Sequence, residues 1–191
     1  GTYHIKSIDK SGVTSENYTS VVVPAASLES FTTTTVQSDD PTFSGTKTGC
    51  SVTSSTLRIT DPSVAPTTAT YDFSAVIDTT TPRLVRARVE ATVVRVDNSA
   101  GLFDDLGGNF DSLPGLFDDL TGTAQFGDTN VKTYISVTQD DPAGTPTWTD
   151  YQAFRAGDYY GRAFRFRAVL SSTANDITPS ISALDAIVEY N

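Results

Sequence analysis

The residues best equipped to do chemistry cluster toward the C-terminus. Trp148, Tyr151, Phe154, Tyr159, Tyr160, Phe164 and Phe166 lie within 19 residues, with Arg155, Arg162, Arg165 and Arg167 interleaved among them. An aromatic ring beside hydrogen-bonding groups is what sugar recognition needs, because the apolar face of a pyranose stacks on a ring whose rim stays wet. Trp148, Tyr151, Tyr159 and Tyr160 are therefore the candidate ligand- or receptor-binding residues. In the competing reading Trp148 and a tyrosine plug one end of a β-sandwich. Phe164 and Phe166 alternate with Arg165 and Arg167, which assigns the two phenylalanines to the core.

A second group of functional side chains fills residues 97–128. Seven Asp occur there with no Lys or Arg, and Gly-Leu-Phe-Asp-Asp-Leu appears twice, at 101–106 and 115–120. The apolar spacings of three and four suit helical turns, but Gly107, Gly108, Pro114 and Gly115 interrupt any continuous helix. Two short turns in a long inter-strand loop are expected. In one reading the Leu and Phe residues seal an end of the sandwich as a satellite cluster. In another, Leu102, Phe103, Phe110, Leu116 and Phe117 contact a partner subunit or a host receptor. A Ca²⁺ site through Asp104, Asp105, Asp118 and Asp119 is disfavoured. Calcium wants about six to eight oxygens, and no Asp-x-Asp-x-Asp-Gly loop is present. No metal and no cofactor are expected.

Catalysis is poorly provided for. The one histidine, His4, lies far along the chain from the aromatic segment. A single His excludes multi-histidine zinc sites and makes a Ser-His-Asp triad improbable. Neither a P-loop, a dinucleotide fingerprint nor a nucleophile elbow occurs. Carboxylate pairs can hydrolyse glycosides, but here Glu is scarce and Asp is concentrated beside apolar residues. Cys50, the only cysteine, reads as a small packed hydrophobe and excludes an intrachain disulfide. The reading is a non-enzymatic protein.

A formal charge of −10 over 191 residues argues against a nucleic-acid binder, which needs a basic face for phosphates. It also disfavours adsorption to anionic membranes. No run of about 18 apolar residues is present, so no transmembrane helix is expected. The absence of Met implies a processed product or a piece of a longer chain.

The elements that must position these groups are short β-branched runs separated by Gly, Pro, Asn and Asp. Tyr3 and Ile5 mark one strand and Tyr18 to Val23 a second, which together need a sheet to complete. Residues 24–44, rich in Thr, Ser and Asp, read as a linker with an extended stretch around Phe31–Val36. Beyond residue 45 strands are expected over 57–60, 70–77, 84–96, 131–137, 163–170 and 183–190. Tyr71, Phe73, Ala75 and Ile77 should share a face. So should Val85, Ala87, Val89, Ala91 and Val93, opposite Arg86, Arg88 and Glu90. If the strands bearing Arg86 and Arg88 adjoin those bearing Arg165 and Arg167, like charges repel unless carboxylates intervene, for which Glu90, Asp158 and the acidic insert are available, or else the arginines bind an acidic partner subunit. The fold class is all-β, an antiparallel sandwich of jelly-roll-like type spanning 45–191 with an insert at 97–128.

Two resemblances add to this. The Gly1-Thr-Tyr-His-Ile-Lys-Ser-Ile-Asp9 run with its following turn and strand resembles the last two strands of a fibronectin type III domain, covering residues 1–23. Trp148 through Ser172, followed by Thr178-Pro-Ser-Ile-Ser-Ala-Leu184, resembles the closing segment of jelly-roll domains in tailed-phage tail-tip and host-specificity proteins. Those proteins string such a domain after fibronectin repeats, the same order. The resemblance implies a virion structural protein of a tail tip or fibre. It also implies other tail subunits as partners, a homotrimer, and contact with a host glycan or receptor. The alternative is a carbohydrate-binding module of a secreted or cell-surface bacterial protein.

Overall fold

A computed structural model describes residues 2–5, 19–22, 31–97 and 128–191 of the chain. Two compact units divide it, residues 1–32 with Asn191, and residues 33–190. In the first, β1 (Thr2–Ile5) and β2 (Thr19–Val22) form an antiparallel hairpin with Thr2 opposite Val22 and Ile5 opposite Thr19.

The second unit is built from ten strands with no helix among the described residues. They are β3 (Thr33–Ser38), β4 (Thr46–Thr48), β5 (Cys50–Thr53), β6 (Thr56–Ile59), β7 (Thr67–Asp72), β8 (Ile77–Asp97), β9 (Thr129–Thr138), β10 (Gln152–Ala153), β11 (Gly157–Ser172) and β12 (Ile177–Tyr190). Every pairing is antiparallel. The protein is all-β, as its alternating pattern implies.

Three long strands set the architecture. The first part of β8 pairs with β11, from Ile77 opposite Phe164 to Ala87 opposite Gly157, and its later part pairs with β12, from Arg86 opposite Glu189 to Asp97 opposite Ile177. From β12 the sheet continues through β6 to β5. Gly49, at φ +70°, then turns the chain between β5 and β4. That left-handed conformation costs a glycine nothing and other residues about 1–2 kcal/mol. β4 pairs β7, and β7 pairs β11, so the sheet is nearly a closed barrel. Closure removes the free edges that an open sheet leaves.

The core is filled from the inward faces. Phe43, Leu57, Tyr71, Val85, Phe164, Phe166, Leu170, Ile181, Leu184 and Val188 are fully or almost fully buried. A chain of ring contacts runs through it, Phe43 to Tyr71, Phe73, Phe166, Phe154 and Tyr159, with centroids 5.8–6.0 Å apart. Such spacings are those of favourable edge-to-face and offset aromatic pairs. Cys50 is buried and donates to the Thr70 carbonyl, and burial pushes its thiol pKa up.

Three expectations need correction. Residues 33–44 are not linker: β3 pairs β12 from Thr33 opposite Tyr190 to Ser38 opposite Asp185, and Phe43 is fully buried. Its threonines, read as linker composition, are β-branched strand formers. Ala75 does not share the face of Tyr71, because β7 ends at Asp72 and a turn intervenes before Ile77. Along β8, burial stops after Val89; Val93 is 41% exposed and Val94 54%. Beyond Ala87 the strand has left β11 and pairs with β12 only, among the described residues. The 98–127 part of the insert, with its expected helical turns and Leu102, Phe103, Phe110, Leu116 and Phe117, lies outside the described residues.

Candidate binding surface

The aromatic–arginine segment is positioned by β9 and β11. On β11, Phe164, Phe166, Ala168 and Leu170 point into the core, so Arg165 and Arg167 leave on the opposite face. The chain after β9 folds back along that strand's edge. Thr149 N–H donates to the Val137 carbonyl at 3.0 Å and Phe154 N–H to the Thr133 carbonyl at 2.9 Å, with β10 paired between them. That return lays Trp148 and Tyr151 over the arginines. The Arg165 guanidinium lies 4.5 Å from the Trp148 ring centre and 4.9 Å from that of Tyr151, and Arg167 lies 4.0 Å from Tyr151. Cation–π contact of this kind contributes about 0.5–2 kcal/mol, more where water is excluded.

Asp72 completes this ladder. It accepts from both Nε and Nη2 of Arg167 and from the Tyr151 hydroxyl. Burial, with Asp72's charge behind it, raises the Tyr151 pKa. The Asp72 hydrogen bond likewise holds the Arg167 pKa above its ordinary value.

The question of arginine repulsion is answered by register. β8 and β11 are neighbours, but Arg86 stands opposite Asp158 and pairs with it at 3.1 Å. Arg88 binds Glu90 and Glu189. Arg165 and Arg167 sit further along β11, flanked by β9 and, for Arg167, β7. Glu90 and Asp158 were legible as partners from sequence; Asp72 and Glu189 were not, since nothing local marks them.

The four candidate rings part company here. Trp148 and Tyr151 carry arginines on their faces. Tyr159 packs against the core, stacked on Phe154 with ring planes 13° apart, and its hydroxyl donates to the Arg155 carbonyl at 2.7 Å. Tyr160 alone stays open, at 58% exposure. It lines a shallow cleft of about 280 Å³ with Thr138, Gln139, Asp140, Thr147 and Thr149. Sequence reasoning did not single out these polar residues, because turn chemistry at 139–147 reads like any connecting loop.

The cleft wall is held in place. Asp140 accepts from Thr147 N–H at 2.8 Å, while its own N–H donates to the Thr138 hydroxyl. Thr149 Oγ1 accepts from Val137 N–H. Arg162 ties Asp141 of the loop to Asp78 at the start of β8. Its hydrogen bond keeps the Asp78 carboxyl pKa below the ordinary value.

A second polar assembly lies inside. Asp39 is 2% exposed and accepts from the Tyr71 hydroxyl at 2.9 Å, from Ser74 N–H and Oγ–H, and from Gln37 Nε2. Gly45 N–H donates to the Tyr71 oxygen at 3.0 Å. Four donors on one carboxylate replace the water it has lost.

Comparison of the chain with protein-family models, curated proteins and solved structures finds no match. No group of His, Cys, Asp and Glu that could hold a metal occurs among the described residues, and no described helix is long and apolar enough to cross a membrane.

Proposed function

We propose that this chain is a non-catalytic attachment and assembly module of a bacteriophage tail tip or fibre. The observation that carries the non-catalytic part is that six carboxylates among the described residues are already engaged. Asp72, Asp78, Asp158, Glu90 and Glu189 are tied to arginines, and Asp39 is enclosed by hydrogen bonds. Glycoside hydrolysis needs one carboxyl free to protonate a leaving oxygen and a second facing it. A carboxyl whose oxygens already accept hydrogen bonds from guanidinium or hydroxyl partners is poorly placed to hand a proton to a leaving oxygen.

The tail assignment rests on the resemblance of Trp148–Ser172 and Thr178–Leu184 to tail-tip domains. The order of a small hairpin unit before a large β unit supports it. Mass spectrometry of purified virions tests the assignment: peptides of this chain should appear with tail components, and light scattering should find about three copies per particle of the isolated protein. Absence from virions, with neighbouring genes that encode glycoside hydrolases, overturns it in favour of a secreted carbohydrate-binding module. The open Tyr160 cleft favours that second reading equally, because both need a surface that meets a glycan.

A further inference from the structure

We propose that the cleft beside Tyr160 binds a neutral pyranose sugar, with the Tyr160 ring as stacking platform and Gln139 and Asp140 as the hydrogen-bonding edge. The inference rests on the attachment reading above and gives it a ligand class and a site.

The platform comes first. Tyr160 is the one aromatic residue within 31–97 and 128–191 with more than half its surface open. Leu84, 43% exposed, stands directly opposite it on β8, so the two form an exposed apolar strip. Directly opposed side chains in an antiparallel pair share a face and touch. The apolar face of a pyranose is matched by such a strip, and the base of the strip is two paired strands of the barrel rather than a loop.

The polar edge lies beside it. Thr147 N–H occupies one Asp140 oxygen and leaves the other open. The Gln139 amide makes no hydrogen bond to the described residues, so it has both donors and acceptor to offer. Thr149 keeps its hydroxyl proton while accepting from Val137. Acceptor, donor and amide together suit vicinal hydroxyls, each of which both donates and accepts. The Arg162 ties to Asp141 and Asp78 hold the loop ready, which lowers the ordering cost of binding.

Size and charge narrow the ligand. About 280 Å³ in an open cleft falls just below the roughly 300–1,000 Å³ of pockets that enclose drug-sized molecules, so one sugar ring is held at a time. Asp140 in the wall and a net charge of −10 repel uronic and sialic acids. The Arg162 charge is already met by two carboxylates.

The test is an NMR titration of the full ¹⁵N-labelled chain with glucose, galactose, N-acetylglucosamine and rhamnose, beside an array of neutral bacterial surface oligosaccharides. At least one sugar should shift the amides of 138–149 and 160 at millimolar concentration. Tyr160→Ala should weaken that binding by about tenfold or more, equivalent to about 1.4 kcal/mol, while Tyr160→Phe stays within about threefold. Retention of labelled chain on whole bacterial cells, released by the free sugar, places the glycan on a host surface; retention on purified extracellular polysaccharide alone places it in the secreted setting. No shift with any sugar, undiminished binding by Tyr160→Ala, or shifts centred on Trp148 overturns the site. If the chain is found in virions while the cleft binds nothing, the attachment module stands and the sugar site falls.

Discussion

The Asp39–Tyr71–Ser74 assembly and the Gln139–Asp140–Tyr160 cleft are made of the same residue types, a tyrosine, an aspartate and short hydrogen-bonding partners. Inside, the carboxylate accepts from four donors and the tyrosine both donates and accepts. Outside, one Asp140 oxygen and the Tyr160 ring are left open. The Arg165–Trp148–Tyr151 ladder lies between these extremes, with its rings covered by guanidinium groups at the surface. Composition does not separate structural from binding chemistry in this protein. What separates them is whether the chain itself satisfies the groups.

Substitutions that open the inner assembly should cost the most. A Cβ at Gly45 would lie 2.0 Å from the Asp72 carbonyl oxygen, a backbone atom that cannot give way, so Gly45→Ala should destabilise by about 4 kcal/mol or more in urea unfolding. Tyr71→Phe removes one of Asp39's donors and should cost about 1–3 kcal/mol. The same hydroxyl gives a pH signature. Burial first, and the Asp39 hydrogen bond and charge after it, hold the folded Tyr71 pKa above the ordinary value of 10.0. Its contribution is complete below pH 10.0 and is lost as pH rises toward the folded pKa. Thermal melts of the parent should therefore fall in alkali more steeply than those of Tyr71→Phe; equal slopes would show the phenol is not sealed.

The surface ladder should give smaller effects. Arg165→Ala removes contacts to two rings and a hydrogen bond to Ser136, and should cost about 1–2 kcal/mol by denaturant unfolding. A change below about 0.5 kcal/mol would mean the rings gain nothing from the guanidinium and are free for other partners. Tyr160→Ala should be the mildest, within about 0.5 kcal/mol of the parent. A larger loss would make Tyr160 a packing residue and erase the contrast with Tyr71.

Much of the fold is legible residue by residue. Phe164, Phe166, Ala168 and Leu170 are inside because a strand turns alternate side chains to opposite faces, and the same rule places Val85 and Ala87. It fails at Ala75, where a turn breaks the strand, and at Val93, where β8 has left β11 and pairs with β12 alone among the described residues. Residues 33–44 look like linker in sequence because threonine and serine serve both linkers and strands, and only the pairing with β12 decides between them.

Of the four aromatic candidates, chain position alone ranked none above the others. Type and spacing already determined that this is an all-β protein with its rings and arginines gathered near the end of the chain, since periodicity is a local property of the backbone. Tertiary structure decided the closure through Gly49, the carboxylates that meet Arg86, Arg88, Arg162 and Arg167, and which of the four rings is left open. Those outcomes depend on residues tens of positions apart, such as Tyr151 with Asp72 and Tyr160 with Leu84, which no local pattern brings together.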